Sequence, residues 1–129
     1  MIYCGVDIIE ISRIEQSIIN FDKAFIEKIF TKKEILYCEK YKNNRYEHYA
    51  VRFAAKEAIY KAFSKLFELT WQDVEITNSK SGRPIVNFVE ESLKSRFSDE
   101  EIKTINNSKI DITLSHNKSQ AIAYVIVEI

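Results

Sequence analysis

Glu57 is the residue whose setting most demands a chemical explanation. From Tyr46 to Phe67 the chain holds no Gly or Pro and is rich in Ala, Lys, Glu and Leu, which predicts one long helix. Projected at about 100° per residue, Tyr46, Tyr49, Phe53, Tyr60, Ser64 and Phe67 fall on one stripe, and Glu57 lies within it. Lys56 and Lys61 flank the stripe, while Val51, Ala55, Ala58, Ala62 and Leu66 form a second apolar face, so the helix is expected to be central. An ionised carboxylate among rings is costly unless a partner or a metal takes its charge. Two accounts stay open: an internal pair with Lys61 four residues on, or a bound cation.

Asp7 raises the same question from another element. It interrupts an otherwise apolar amino-terminal run, where its ordinary role would be a strand-end residue serving the turn before Ser12. Two acids without evident local partners can share a cation. Oxygen ligation by two carboxylates, with water and phosphate completing the shell, suits Mg²⁺ rather than zinc. His116 closes an alternating segment and by itself reads as a solvated turn residue, and His48 reads as a surface residue. Ser81-Gly82-Arg83-Pro84 reads as a hairpin turn, in which Gly permits close backbone approach and Arg offers a bidentate grip on phosphate.

The elements that must position these residues can be read in outline. Residues 1 to 10 predict a strand, and Ser12 with Glu15 forms a capping box opening a helix to about Asn20. Phe21, Phe25 and Ile29 mark a second helix, and Thr31 with Glu34 caps a third through Tyr41, before Asn43-Asn44 breaks the pattern. After the long helix, Val74 and Ile76 alternate with polar residues, and Ile85 to Val89 returns across the turn as a hairpin. Glu90 to Phe97 predicts a short helix, and Ser98 to Ser108 a polar loop. Ile110 to Ser115 alternates as a strand, and Ala121 to Ile129 is a continuous apolar β run beyond a tight polar turn. Roughly five strands and four or five helices, with hairpins, imply an α+β domain.

Composition limits the classes of function. A chain of 129 residues, 46% hydrophobic and 29% charged, fits one globular domain spanning residues 1 to 129. Lys plus Arg equals Asp plus Glu at 19 each, which argues against nucleic-acid binding and requires any anion site to be local. Asp7 and Glu10 cut the first apolar run short of a signal peptide, and no stretch predicts a membrane span. Cys4 and Cys38 are too far apart in sequence to mark a zinc site, and read as reduced cytoplasmic thiols.

Taken in order, six segments resemble the holo-acyl-carrier-protein synthases of the 4′-phosphopantetheinyl transferase family. They are Gly5-Val6-Asp7-Ile8-Ile9-Glu10 with Arg13-Ile14, Phe30-Thr31-Lys32-Lys33-Glu34, Arg52 through Ala62, Trp71-Gln72-Asp73-Val74-Glu75-Ile76, Gly82-Arg83-Pro84 and Leu114-Ser115-His116. The likeness spans nearly the whole chain. It implies that family's fold, a small mainly antiparallel sheet packed on a long central helix. It implies transfer of 4′-phosphopantetheine from coenzyme A to a serine of an acyl carrier protein, in support of fatty acid biosynthesis. It assigns Asp7 and Glu57 as Mg²⁺ ligands, and Glu57 and Lys61 as the catalytic pair. Arg52, Lys61, Gly82, Arg83, Pro84 and His116 go to the coenzyme A side, and Arg13 to the carrier protein. A homotrimer with active sites between protomers is also implied. The chain departs from the family's pattern in having no Gly in Ser64 to Thr70, and in offering Gln16 and Ile18 on a first helix where several basic residues are expected. These departures motivate an alternative, a non-catalytic nucleotide- or carrier-binding module of the same fold.

Overall fold

In the computed structural model, which describes residues 1–129, the centre is a helix of two-sided burial, as its sequence requires. This helix, α4 (Arg45–Phe63), contributes Ala54, Ala55, Ala58, Ile59, Ala62 and Phe63 to one hydrophobic cluster and Tyr49, Ala50 and Val51 to another. Against it lies a three-stranded antiparallel sheet in the order β1 (Ile2–Glu10), β5 (Gln120–Glu128), β4 (Lys109–His116). Strands β2 (Val74–Asn78) and β3 (Pro84–Phe88) form a separate antiparallel hairpin. The architecture is α+β, as expected, and no helix is long and apolar enough to cross a membrane.

The approach of β1 to α4 depends on Gly5. A Cβ there would lie 2.0 Å from Ala58 O and 3.0 Å from Ala62 N, so any side chain would collide with helix backbone. Successive strand residues face opposite sides. Asp7, two residues beyond Gly5, therefore faces α4 as well, and Val6 and Ile8 face away.

The remaining elements frame this seam. Helices α1 (Ile11–Phe21), α2 (Lys23–Ile29) and α3 (Lys32–Glu39) precede α4. The Thr31 capping box forms as predicted, Thr31 N–H donating to Glu34 Oε1 at 2.8 Å and Glu34 N–H to Thr31 Oγ1 at 3.4 Å. The Ser12 box does not form: strand passes straight into helix at Glu10, whose side chain makes no cap, and Ser12 lies within the first turn. Helix α3 ends at Glu39 rather than Tyr41. The long helix ends at Phe63 rather than Phe67, where Ser64 Oγ donates to Lys61 O at 2.8 Å and satisfies a terminal carbonyl. Ser64, Leu66 and Phe67 consequently lie beyond the faces predicted for them.

Two further expectations change. The short helix α5 covers Glu90–Lys94, and the segment read as a polar loop is helix α6 (Asp99–Asn107), opened by a Ser98–Glu101 capping box and buried through Ile102 and Ile105. The apolar run of β5 alternates: Ala121, Ala123, Val125 and Val127 are buried, whereas Ile122, Tyr124 and Ile126 are exposed. Opposite them on β1 stand Ile8, Val6 and Cys4, so one sheet face carries an exposed apolar band.

Candidate active site

The seam between β1 and α4 brings the two suspect acids together. Asp7 and Glu57 line one cavity of about 500 Å³, along with Glu10, Arg13, Ser17, Phe53 and Gln120. The Glu57–Lys61 pair, one of the two accounts that helical spacing left open, does not form. Lys61 Nζ instead donates to Asp7 Oδ1 at 3.1 Å and to Val6 O at 2.9 Å. Glu57 Oε1 accepts from Trp71 Nε1 at 2.6 Å, the indole belonging to a 3₁₀ turn, Trp71–Asp73, that leads into β2. Asp7 is neutralised from one side by an exposed ammonium, while Glu57 has a neutral donor and no cation.

The neighbouring Lys56 is, with Arg52, one of two cations that α4 buries. Its Nζ lies 2.7 Å from Glu34 Oε1 and donates to Ile29 O at 2.8 Å and Trp71 O at 2.9 Å. Burial pushes the Lys56 ammonium pKa down, against the pull of Glu34. Glu34 also accepts from Ile76 N–H at 2.7 Å, so one ion pair joins the α3 cap, α4, the 3₁₀ turn and β2.

Of the residues assigned to the coenzyme A side, Lys61 sits with the acids, Arg52 and Gly82 are joined through Asn78, and His116 has no hydrogen bond or ion pair to any of the others. Arg52 is buried, donates to Asn78 Oδ1 at 2.6 Å and stacks on Tyr37 with its guanidinium 4.0 Å from the ring centroid, while its Nε has no partner. Asn78 Nδ2 in turn donates to Gly82 O at 3.1 Å, linking α4 to the hairpin turn. Gly82 adopts φ 87°, a left-handed conformation that a side chain would strain. Arg83 pairs with Asp111 at 2.8 Å, and with Pro84 lines a separate cavity of about 360 Å³. His116 is exposed at the end of β4, 3.9 Å from Glu47. His48 is half-buried rather than superficial, stacked on Tyr41 at 4.0 Å, and burial followed by Arg52 and His116 lowers its pKa. The two thiols are unpaired, Cys4 exposed and Cys38 buried, with burial pushing Cys38 up to about 12.

The acidic cavity thus lies at the strand–helix seam, and Arg83 and Pro84 line a separate one beside the glycine turn. The chain is 45% identical over 125 residues to a holo-[acyl-carrier-protein] synthase of Clostridium tetani, covering 96% of this chain and 93% of that one. It is 38% identical over 127 residues to one of Ruminiclostridium cellulolyticum, covering 97% and 90%. The 4′-phosphopantetheinyl transferase superfamily model matches residues 3–125. The chain belongs to the holo-[acyl-carrier-protein] synthases of that superfamily. Among solved members, the Helicobacter pylori synthase in complex with coenzyme A superposes with a TM-score of 0.76 at 28% identity, covering 97% of this chain and 99% of that one. The Bacillus anthracis synthase in complex with coenzyme A (3′,5′-ADP) gives 0.75 at 30%, covering 97% and 94%.

Within this synthase fold, sequence reasoning missed Trp71 and the Glu34–Lys56 pair. Both left traces: a Trp buried in part needs a partner for its N–H, and Lys56 lay beside an apolar stripe. Neither trace names a partner that is distant in sequence.

Proposed function

We propose that this synthase moves 4′-phosphopantetheine from coenzyme A to a serine of an acyl carrier protein. The observation that carries the reading is the shared cavity, into which β1 and α4 each bring one carboxylate. Its polar lining is oxygen from Asp7, Glu10, Glu57, Ser17 and Gln120 with one guanidinium, and no thiol or imidazole, a donor set that fits Mg²⁺. No three His, Cys, Asp or Glu side chains gather at one point, so water and diphosphate oxygens would complete the shell. Mg²⁺ between Asp7 and Glu57 would lower the charge that an incoming nucleophile meets.

In the proposed reaction the carrier serine oxygen bonds to the β-phosphorus of coenzyme A as the bridge to the α-phosphate breaks. The products are holo-carrier and 3′,5′-ADP. Glu57 accepts the serine proton, directly or through water. Lys61, now engaged with Asp7, balances charge on the departing phosphate. Arg52, Gly82, Arg83, Pro84 and His116 would hold the nucleotide, and exposed Arg13 would meet the acidic carrier. The test is to weigh apo-carrier after incubation with the chain, coenzyme A and Mg²⁺. Gain of the phosphopantetheine mass, abolished by EDTA and restored by Mg²⁺, is expected. An unchanged carrier mass contradicts the reading.

We further propose a trimer whose sites lie between protomers. The band formed by Val6, Ile8, Ile122, Tyr124 and Ile126 is contiguous and apolar, a surface that monomers rarely leave in water. The acidic cavity and the hairpin cavity also have no residue in common within one chain. Light scattering should give three chains per particle. Tyr124→Asp, which places a charge in the band, should give monomers with little transfer activity; an active monomer would rule the assembly out.

A further inference from the structure

Glu57 is tied down by a single contact within the chain, the Trp71 indole N–H on Oε1 at 2.6 Å. Oε2 receives no hydrogen bond or ion pair. Trp71 is held in turn by the preceding residue of the same helix, since Lys56 Nζ donates to its carbonyl at 2.9 Å. Consecutive residues of α4 thus grip the two polar ends of one tryptophan. Gln72 anchors the same turn to the end of α2, donating to Glu27 O at 2.8 Å and Phe30 O at 3.2 Å. The indole lies against Phe53 with centroids 6.2 Å apart, and walls a second cavity of about 600 Å³ on the other side of Glu57.

The absent i,i+4 pair belongs to the same arrangement. Helical spacing offers Lys61 to Glu57, yet Oε1 is already occupied and Lys61 is directed to Asp7 and Val6 O. Without the indole N–H, Glu57 would be free to compete with Asp7 for that ammonium. We propose that Trp71 is a positioning residue for Glu57: it pins Oε1, leaves Oε2 to the cavity that Asp7 shares, and keeps Glu57 from closing onto Lys61. This rests on the reading of Asp7 and Glu57 as a cation-binding pair.

Trp71 is the only tryptophan in the chain, so intrinsic emission reports on the indole that touches Glu57. Mn²⁺ titrated into the metal-free wild-type protein should quench it. The test replaces Trp71 by β-(3-benzothienyl)alanine, which keeps the bicyclic shape and lacks the N–H, with Trp71→Phe alongside. Mn²⁺ binding is followed by the electron paramagnetic resonance of the free ion, together with kcat, KM for coenzyme A, and Tm without metal. Mn²⁺ affinity and kcat should fall about ten- to a hundredfold in the isostere with KM nearly unchanged, the scale for losing an outer partner of a metal ligand, while Tm holds. Unchanged Mn²⁺ affinity and kcat in the isostere would overturn the positioning role and leave the cation pair standing. A lowered Tm with unchanged Mn²⁺ affinity would make Trp71 a packing residue only, and also overturn it. A wild-type chain that neither binds Mn²⁺ nor modifies a carrier would overturn the cation pair and this inference with it.

Discussion

Glu57→Gln is expected to fold and melt as the parent chain does, and to lose two orders of magnitude or more in transfer rate, the scale of a positioned acid–base group. The substitution keeps an oxygen to accept from Trp71 Nε1 and deletes only the charge. Lys61 does not depend on that charge, because it is engaged with Asp7 and Val6 O. A structural role for Glu57 would therefore have to act through Trp71 alone, which glutamine can still satisfy. The deciding pair of measurements, made on one preparation, is Tm without metal and the initial rate of holo-carrier formation at saturating Mg²⁺. A depressed Tm with a near-normal rate per folded molecule would falsify the catalytic assignment.

The largest effect on stability should come from one residue earlier. Lys56→Met leaves the Glu34 carboxylate buried without its cation and strips a donor from Ile29 O and Trp71 O. Breaking a buried pair by removing one partner costs about 3–5 kcal/mol, and the N–H groups of Thr31 and Ile76, which still reach Glu34, argue for the lower end. Against a total stability of about 5–15 kcal/mol, that is a large share. Urea unfolding monitored by Trp71 emission measures it. Combining Lys56→Met with Glu34→Gln should recover part of the loss, because an uncompensated charge is the costly species. A single variant within about 1 kcal/mol of the parent, well below the cost of an unpaired buried charge, would show that the pair is dispensable.

The sequence made Glu57 and Asp7 conspicuous because each is a carboxylate in apolar company, and periodicity carries that signal along one element. It left Glu57 with two possible partners, since helical spacing presents Lys61 whether or not the tertiary fold uses it. The choice was made by β1 and by the 3₁₀ turn, whose placement depends on distant pairing. Helix α6 (Asp99–Asn107) reads as a loop in sequence because its polar residues outnumber its two buried isoleucines, although the Ser98–Glu101 box is present there. The Ser12–Glu15 spacing misled in the opposite direction: the motif is local, but a strand running straight into helix moved the start of α1 ahead of it. Alternation in β5 was hidden because the face turned away from the core is apolar too.

The contact of Gly5 with the backbone of Ala58 works as a caliper for the two acids. Asp7 and Glu57 sit on separate elements, and the width of the opening between them would ordinarily drift with every change in the side chains packed between strand and helix. Here main chain rests on main chain, at a point two residues from one acid and one residue from the other. Substitutions that loosen or refill either hydrophobic cluster are therefore expected to change stability more than the width of that opening. At this seam the residue with no room for replacement is Gly5, because any Cβ would press on the carbonyl of Ala58 and force the two acids apart.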